Sequence, residues 1–594
     1  MPTVKDSSGS AAAELEGILS ATDLRAVVFA DEQARARVAR ALSDGPDRLA
    51  AEGAWLVKRN ISRSLYRVQG PAGVLYLKSF HSPRLWHRLE RRVGVSDAVR
   101  EMRFSRYLNR RAVPALRVTA AYCRDGVEWL VSEPIEPSEP LDQWHARQLA
   151  AGRHDAIRAA TTALGELVGR MHACGVIHRD LHCGNVLVRN DSPTDLVLMD
   201  LHRMRRRRRL TRRSRAANLS QLMTDRLHWT TRSQRLRFLR AYLSASGASG
   251  SVRGWIRLTD PLARRHHRRL NAQRDRRIFG NNHYFARLNV AGYRTHVVLS
   301  SKRQVPGSAA CARTFTPPQW RQALGDVERL FDLGEAHVVK DSDSSFVVRR
   351  RLTVGEVELD VFIKRPRRKR ISRWIQDLFR PSRSLRAFRL GHELLARHIS
   401  TVLPLAVMEK RRFRFLVDSV LITETVHSGI HLNKFLTRYL SPAGEGDWLD
   451  KRGRSRLARQ VLWQMGRLLR RLHGEGFAHR DLKATNLLVH WQAHSARPPE
   501  IVLVDLDGLK PVRRVTRRQE FRGLMRLNVS LLECTAVNRA GRLRMLMGYL
   551  RRPGSGPIRF KPYWHVLQEW SGRTIRRQIA ARQRRQKTLR RNPP

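Results

Sequence analysis

The octet HRDLHCGN at His178–Asn185 returns as HRDLKATN at His479–Asn486, 301 residues further on. Its surroundings return with it. MHACGVIHRD (171–180) matches LHGEGFAHRD (472–481) without a gap, and LVLMDL (196–201) matches IVLVDL (501–506). LTRR (210–213) then matches VTRR (515–518), and RLRFLRAYL (235–243) matches RLRMLMGYL (542–550). Matches in one conserved order define a tandem duplication, so whatever one half folds into, the other must fold into as well. A chain of 594 residues is long enough for two such units, each with its own core. The expected organisation is a helical extension over 1–44, a first unit over 45–290, a linker over 291–318, and a second unit over 319–594 with a basic tail. The linker assignment rests on the Ser-, Pro- and Gly-rich stretch SSKRQVPGSAACARTFTPPQW (300–320).

Both halves pass through the same coarse pattern. Strand-like runs come first, VLYLKSF (74–80) and LDVFIKRP (359–366), each preceded by a Ser-rich turn. A helical stretch follows, holding VREMRFSRYL (99–108) or LGHELLARHI (390–399). Then come a second strand-like run, a helix, the octet loop, and an apolar run ending in Asp. The pattern predicts an α+β fold, with a small sheet-rich lobe followed by a larger helical lobe, written twice.

Phosphoryl transfer from a nucleotide needs a cation on the phosphates, oxygen ligands for Mg²⁺, and a carboxylate on the attacking hydroxyl. The chain carries 114 basic residues, of which only 14 are lysine, so an isolated lysine is informative where an arginine is not. Lys78 is the only lysine between Lys58 and Lys302, and it lies in an apolar strand; Lys364 is its counterpart. A compact ammonium suits point contact with phosphates. Glu101 and Glu393, on the helices that follow, are the expected ion-pair partners of these lysines. Asp180 and Asp481 in the octets are the expected proton acceptors. Asn185 and Asn486, five residues on, together with Asp200 and Asp505 at the ends of apolar runs, offer the hard oxygen ligands that Mg²⁺ prefers.

The octets resemble the catalytic loop of the protein-kinase-like superfamily, and MDLHR and VDLDG stand where that superfamily places its metal-binding DFG. GxGxxG and APE motifs are both missing, which argues against a protein kinase acting on Ser, Thr or Tyr. With those departures the chain is similar to the bacterial lipopolysaccharide kinase family, which phosphorylates Kdo or heptose sugars of the inner core. The resemblance implies two tandem protein-kinase-like bilobal domains, dependence on ATP and Mg²⁺, and a sugar hydroxyl as acceptor at the inner membrane face. Without glycines, the phosphate loop would rely on main-chain N–H groups and the hydroxyls of Ser62, Ser64, Ser344 and Ser345. His202 reads as a spacer and Asp507 as a turn residue.

Other classes are weighed against this reading. A net charge of +62 points to anionic partners, whether a glycolipid, an anionic membrane surface or nucleic acid. It counts against a phosphotransferase for cationic small molecules such as aminoglycosides or choline. A pseudokinase scaffold or nucleic-acid binder would have no need of intact Lys, Asp and Asn in both halves. The arginine-rich run RMRRRRRLTRRSR (203–215) is a candidate contact for an acidic acceptor. Two basic, Trp-bearing stretches (82–93 and 367–383) are candidates for contact with anionic lipid. Five scattered cysteines show neither a disulfide framework nor a CxxC pair. With no apolar leader visible and no apolar run of membrane-spanning length, the expected location is cytoplasmic, with peripheral contact at the inner membrane.

Overall fold

A computed structural model describes residues 28–29, 54–60, 63–70, 73–80, 97–124, 127–225, 230–301, 305–367, 380–440, 449–492, 498–534, 536–551 and 558–591. Ser62 and most of the two Trp-bearing basic stretches (82–93 and 368–379) lie outside the described residues. The chain divides into two compact units, Met1–Arg268 and Arg269–Pro594.

The first unit opens with six antiparallel strands: β1 (Val28–Phe29), β2 (Ala54–Asn60), β3 (Arg63–Gly70), β4 (Gly73–Phe80), β5 (Val118–Arg124) and β6 (Val127–Ser132), ordered β1-β5-β6-β4-β3-β2. The described part of the expected helical extension is therefore a strand, with Val28 opposite Ala121 and Phe29 opposite Ala120. Strands β2 and β3 pair up to Asn60 and Arg63. Against this sheet lies helix α1 (Asp97–Asn109), which buries Ala98, Glu101, Met102, Ser105 and Leu108. That three-to-four spacing makes one face, and one member of the face is a carboxylate. The helix ends where Ala112 takes φ 53° and the Val113 N–H reaches back to the Leu108 carbonyl.

The second lobe is helical. Helix α2 (Leu141–Ala150) leads into α3 (His154–Ala173), and the octet loop follows between the short strands Val176–His178 and Val186–Arg189. Helix α3 packs on the helix Arg232–Ser246 at backbone distance. A Cβ on Gly165 would stand 2.5 Å from the Phe238 carbonyl oxygen, so only glycine allows the approach.

The second unit repeats this plan with a seven-stranded sheet. Its outer hairpin, Phe285–Val290 with Tyr293–Val298, turns through Ala291 (φ 49°) and Gly292 (φ 76°) and pairs with the strand Pro404–Arg412. Positive φ at both turn residues is the geometry of a two-residue hairpin. These strands were expected at the end of the first unit and the start of the linker; they belong instead to the second sheet. The rest of the expected linker is also packed. The Glu424 carboxylate accepts from the Ala309 N–H (2.7 Å), the Ala310 N–H (2.9 Å) and the Ser308 hydroxyl. Trp320 is fully buried, and its indole N–H donates to the Val298 carbonyl at 2.8 Å. A buried tryptophan with its one donor satisfied is an anchor. The final helix, Lys561–Arg591, buries Trp564, Leu567 and Ser571, whereas residues 576–581 of the basic tail are exposed.

Each unit is thus α+β, with a sheet-rich lobe followed by a helical lobe. Among the described residues, no helix is long and apolar enough to cross a membrane.

Candidate active sites

In the first unit, β4 carries Lys78 into the space between the sheet, α1 and the segment after the Leu196–Leu198 strand. Its ammonium lies 3.0 Å from a Glu101 carboxylate oxygen and 2.7 Å from Asp200 Oδ1. Arg63, at the start of β3, reaches the same carboxylate at 3.4 Å and meets His202 Nε2 at 2.7 Å. His202 Nδ1 in turn stands 3.3 Å from Glu101. His202 is therefore a buried member of the cluster rather than a spacer.

The electrostatics follow from this packing. Burial works against a charge on Glu101, but the neighbouring Lys78 and His202 outweigh it and hold the carboxyl below its usual range. Asp200 behaves likewise: burial opposes its charge, and Lys78 and Arg63 more than compensate. Burial also disfavours the Lys78 ammonium, yet Glu101 and Asp200 keep it protonated beyond its ordinary range. Asp200 itself sits at φ 55°, and Asp505 of the second unit at φ 46°. This left-handed pose costs a non-glycine residue about 1–2 kcal/mol, and Asp tolerates it better than most. Its recurrence at both positions marks an aspartate held where its carboxylate is needed rather than where its backbone is relaxed.

The octet loops of the two units share one hydrogen-bonded framework. The His178 ring is buried; its Nδ1 accepts the Asp180 N–H at 3.1 Å, and its Nε2 donates to the Met199 carbonyl at 2.9 Å. His479 accepts the Asp481 N–H at 3.2 Å and donates to the Asp505 carbonyl at 3.3 Å. Each histidine thus ties the octet Asp to the backbone at or beside the putting-forward Asp of the next strand, and burial keeps each ring's pKa low. The octet motif alone does not show this role for the two histidines. Asn185 Nδ2 donates to the Asp180 carbonyl and Asn486 Nδ2 to the Asp481 carbonyl, both at 2.9 Å. That commits each amide nitrogen to the loop and leaves Oδ1 as the atom suited to a hard cation. Asn185 with Asp200, and Asn486 with Asp505, therefore fit Mg²⁺ by donor chemistry.

The second site departs from the first at the lysine. Lys364 lies 2.8 Å from Asp507 and 3.7 Å from Asp505. The expected partner Glu393 is not brought to it; its carboxylate is held by Arg389 Nε at 2.7 Å, one turn back on the same helix. Asp507 is thus an ion-pair partner, not simply a turn residue. Asp481 is itself flanked by cations, Arg526 at 3.0 Å and Lys483 at 3.4 Å, whereas the exposed Asp180 has Gln221 and His182 at the matching sequence positions.

Of the phosphate-loop serines, Ser64 and Ser345 are buried in their strands. Ser344 lies in the two-residue turn between paired Ser342 and Ser345, with its hydroxyl 3.1 Å from that of Ser342. Among the described phosphate-loop serines, Ser344 alone stands in a turn. Beyond Asp200, Arg203 and Arg205–Arg209 are exposed. The Arg206 and Arg111 guanidiniums lie 4.6 Å and 3.8 Å from the centre of the Tyr107 ring, a cation–π arrangement that gathers two positive charges at one place.

A family model described as the lipopolysaccharide kinase (Kdo/WaaP) family matches residues 47–242 and 348–549. The lipopolysaccharide core heptose(I) kinase WaaP of Pseudomonas aeruginosa is 32% identical over 124 residues, covering 19% of this chain and 45% of the relative. A 3-deoxy-D-manno-octulosonic acid kinase of Stenotrophomonas maltophilia is 30% identical over 135 residues, covering 23% of this chain and 51% of the relative. The chain spans about half the length of the curated relatives it matches. Among solved structures, WaaP in complex with acyl carrier protein aligns with 21% identity and a TM-score of 0.33, over 44% of this chain and 98% of that one.

Proposed function

Because the chain belongs to the lipopolysaccharide kinase (Kdo/WaaP) family, we propose that it is an ATP-dependent kinase that phosphorylates a sugar hydroxyl of lipopolysaccharide inner core. The observation that carries this reading is the Lys78 ammonium within 3.0 Å of both the Glu101 and Asp200 carboxylates, beside an octet loop that holds Asp180 and Asn185.

In this mechanism Glu101 anchors Lys78, and Lys78 turns from Asp200 to the α- and β-phosphates when nucleotide enters. Asn185 and Asp200 would hold Mg²⁺, which would supply charge neutralisation to the transferring phosphoryl group. Asp180 accepts the proton of the acceptor hydroxyl. The sugar oxygen forms its bond to the γ-phosphorus as the bond from that phosphorus to the bridging oxygen breaks, and ADP departs. His178 keeps Asp180 and the Asp200 segment in fixed relation, so base and metal ligand act on one reacting group. Asp481, Asn486, Asp505 and Lys364 fill the same roles in the second unit, with main-chain N–H groups and Ser344 at its phosphate turn.

The exposed arginines beyond Asp200 favour an acceptor that already carries negative charge, such as a phosphorylated or carboxylated sugar on a lipid. Such an acceptor would be met at an anionic membrane surface, where basic residues add attraction. Incubation with γ-labelled ATP and inner-core saccharide fragments tests the reading. Label on the saccharide, dependent on Mg²⁺, is the expected result; release of labelled inorganic phosphate without labelled saccharide would overturn the substrate assignment.

A further inference from the structure

The two units solve one problem, holding a lysine in place, in two different ways. The helices that follow the lysine strands end alike. In α1, Ala112 has φ 53°, and the N–H groups of Arg111 and Val113 both reach the Leu108 carbonyl. In the helix Arg383–Ala396, His398 has φ 56°, and the N–H groups of Arg397 and Ile399 both reach the Leu394 carbonyl. Leu108 therefore corresponds to Leu394, and seven residues back Glu101 corresponds to Ala387, which is buried. The helix of the second unit has no carboxylate at the position that holds the lysine in the first.

Two further positions change with it. His202, two residues after Asp200, is matched by Asp507, two residues after Asp505. Strand pairing sets Leu65 opposite Lys78 and Val347 opposite Lys364, so Arg63 is matched by Ser345. The first site thus holds two cations, Lys78 and Arg63, against Glu101 and Asp200. The second holds one cation, Lys364, against Asp505 and Asp507. In the second site a loop carboxylate, rather than a helix carboxylate, stands 2.8 Å from the lysine.

We infer that Asp507 is the positioning residue for Lys364, doing from the loop after Asp505 what Glu101 does from α1. This rests on the kinase reading above. Its consequence is that the second site aligns its lysine through the same segment that carries its metal aspartate, independently of where the helix Arg383–Ala396 stands. The first site needs α1 in place to do so.

The test uses the full chain with Lys78→Ala, so that a fluorescent ATP analogue reports on the second unit, and it is run in EDTA so that no metal contributes. Asp507→Asn is expected to weaken binding by about fivefold, the upper end for an ion pair at this exposure. The direction is diagnostic. Removing a negative charge near the phosphates would otherwise leave binding unchanged or tighten it, as a turn residue or a pure metal ligand would. Asp507→His, which copies the first unit, is expected to weaken binding likewise, and adding Ala387→Glu to it is expected to restore binding. Undiminished binding in Asp507→Asn, or no restoration by Ala387→Glu in a protein whose thermal transition is intact, would overturn the inference. If the Lys78→Ala protein bound no nucleotide at all while keeping its thermal transition, the reading of the second unit as a nucleotide site would fall, and this inference with it.

Discussion

Lys78 and Asp200 meet at 2.7 Å although 122 residues separate them in the chain. The contact joins the sheet lobe to the helical lobe of the first unit at the point where nucleotide phosphates and metal would enter between them. Because Arg63 and Glu101 share it, the site is a closed charge network, and each member has a consequence that can be measured.

Replacing Lys78 with Met removes the only lysine of this network and leaves Glu101 buried without its main counter-charge. Nucleotide affinity of the first unit, read in an Asp505→Asn background, is expected to fall about 10- to 100-fold, the scale of one or two charge-assisted hydrogen bonds. Isothermal titration with ATP and Mg²⁺ checks it. Lys78→Arg is expected to rescue poorly, since a guanidinium fork does not fit a point contact.

His178→Ala cuts the tie between Asp180 and the Met199–Asp200 segment without touching either carboxylate. Turnover in an Asp481→Asn background is expected to drop about 10- to 100-fold, as for other residues that orient ligands from behind, while the KM for ATP changes little. Steady-state kinetics separate the two parameters, and a KM rise without a kcat loss would contradict the role.

Acid should destabilise the first unit through His172. Its ring is fully buried between the Tyr242 hydroxyl and Asn218, with Arg215 nearby. Burial lowers its pKa from 6.5 to about 4. The folded protein therefore binds this proton less readily than the unfolded chain. The contribution is complete above pH 6.5 and is lost progressively as pH falls toward 4. Urea midpoints across that range should decline, and His172→Gln should flatten the slope.

Gly165→Ala is expected to lower the thermal transition of the first unit, because its Cβ would press 2.5 Å from the Phe238 carbonyl. Forcing a methyl into such a contact costs about 1–3 kcal/mol. Differential scanning calorimetry should show the shift in one transition only.

Much of this architecture could be read from the chain before its coordinates. The octets, the apolar runs ending in Asp200 and Asp505, and the rarity of Lys78 in an arginine-rich chain all carried strong local signals. The limits were physical. Glu393 is the only carboxylate on the helix after Lys364 and so reads as its partner, whereas equal spacing, 23 residues from each lysine, leads to Ala387. A residue that is missing leaves no trace to read, and its substitute, Asp507, looked like an ordinary turn former. Arg63 had no signal at all among 100 arginines. The hairpin over 285–298 was hidden by its Ala-Gly turn and by its position upstream of an apparent linker, and pairing across more than 100 residues, as between His296 and Val407, is not visible in local pattern.

The central claim is that the chain carries two complete phosphotransfer sites. Transfer of label from γ-labelled ATP to inner-core saccharide by Asp180→Asn, Asp481→Asn and the double variant tests it most directly. The account predicts that each single variant retains turnover and that only the double variant is dead. Loss of all turnover in either single variant, with the fold intact by calorimetry, would contradict it.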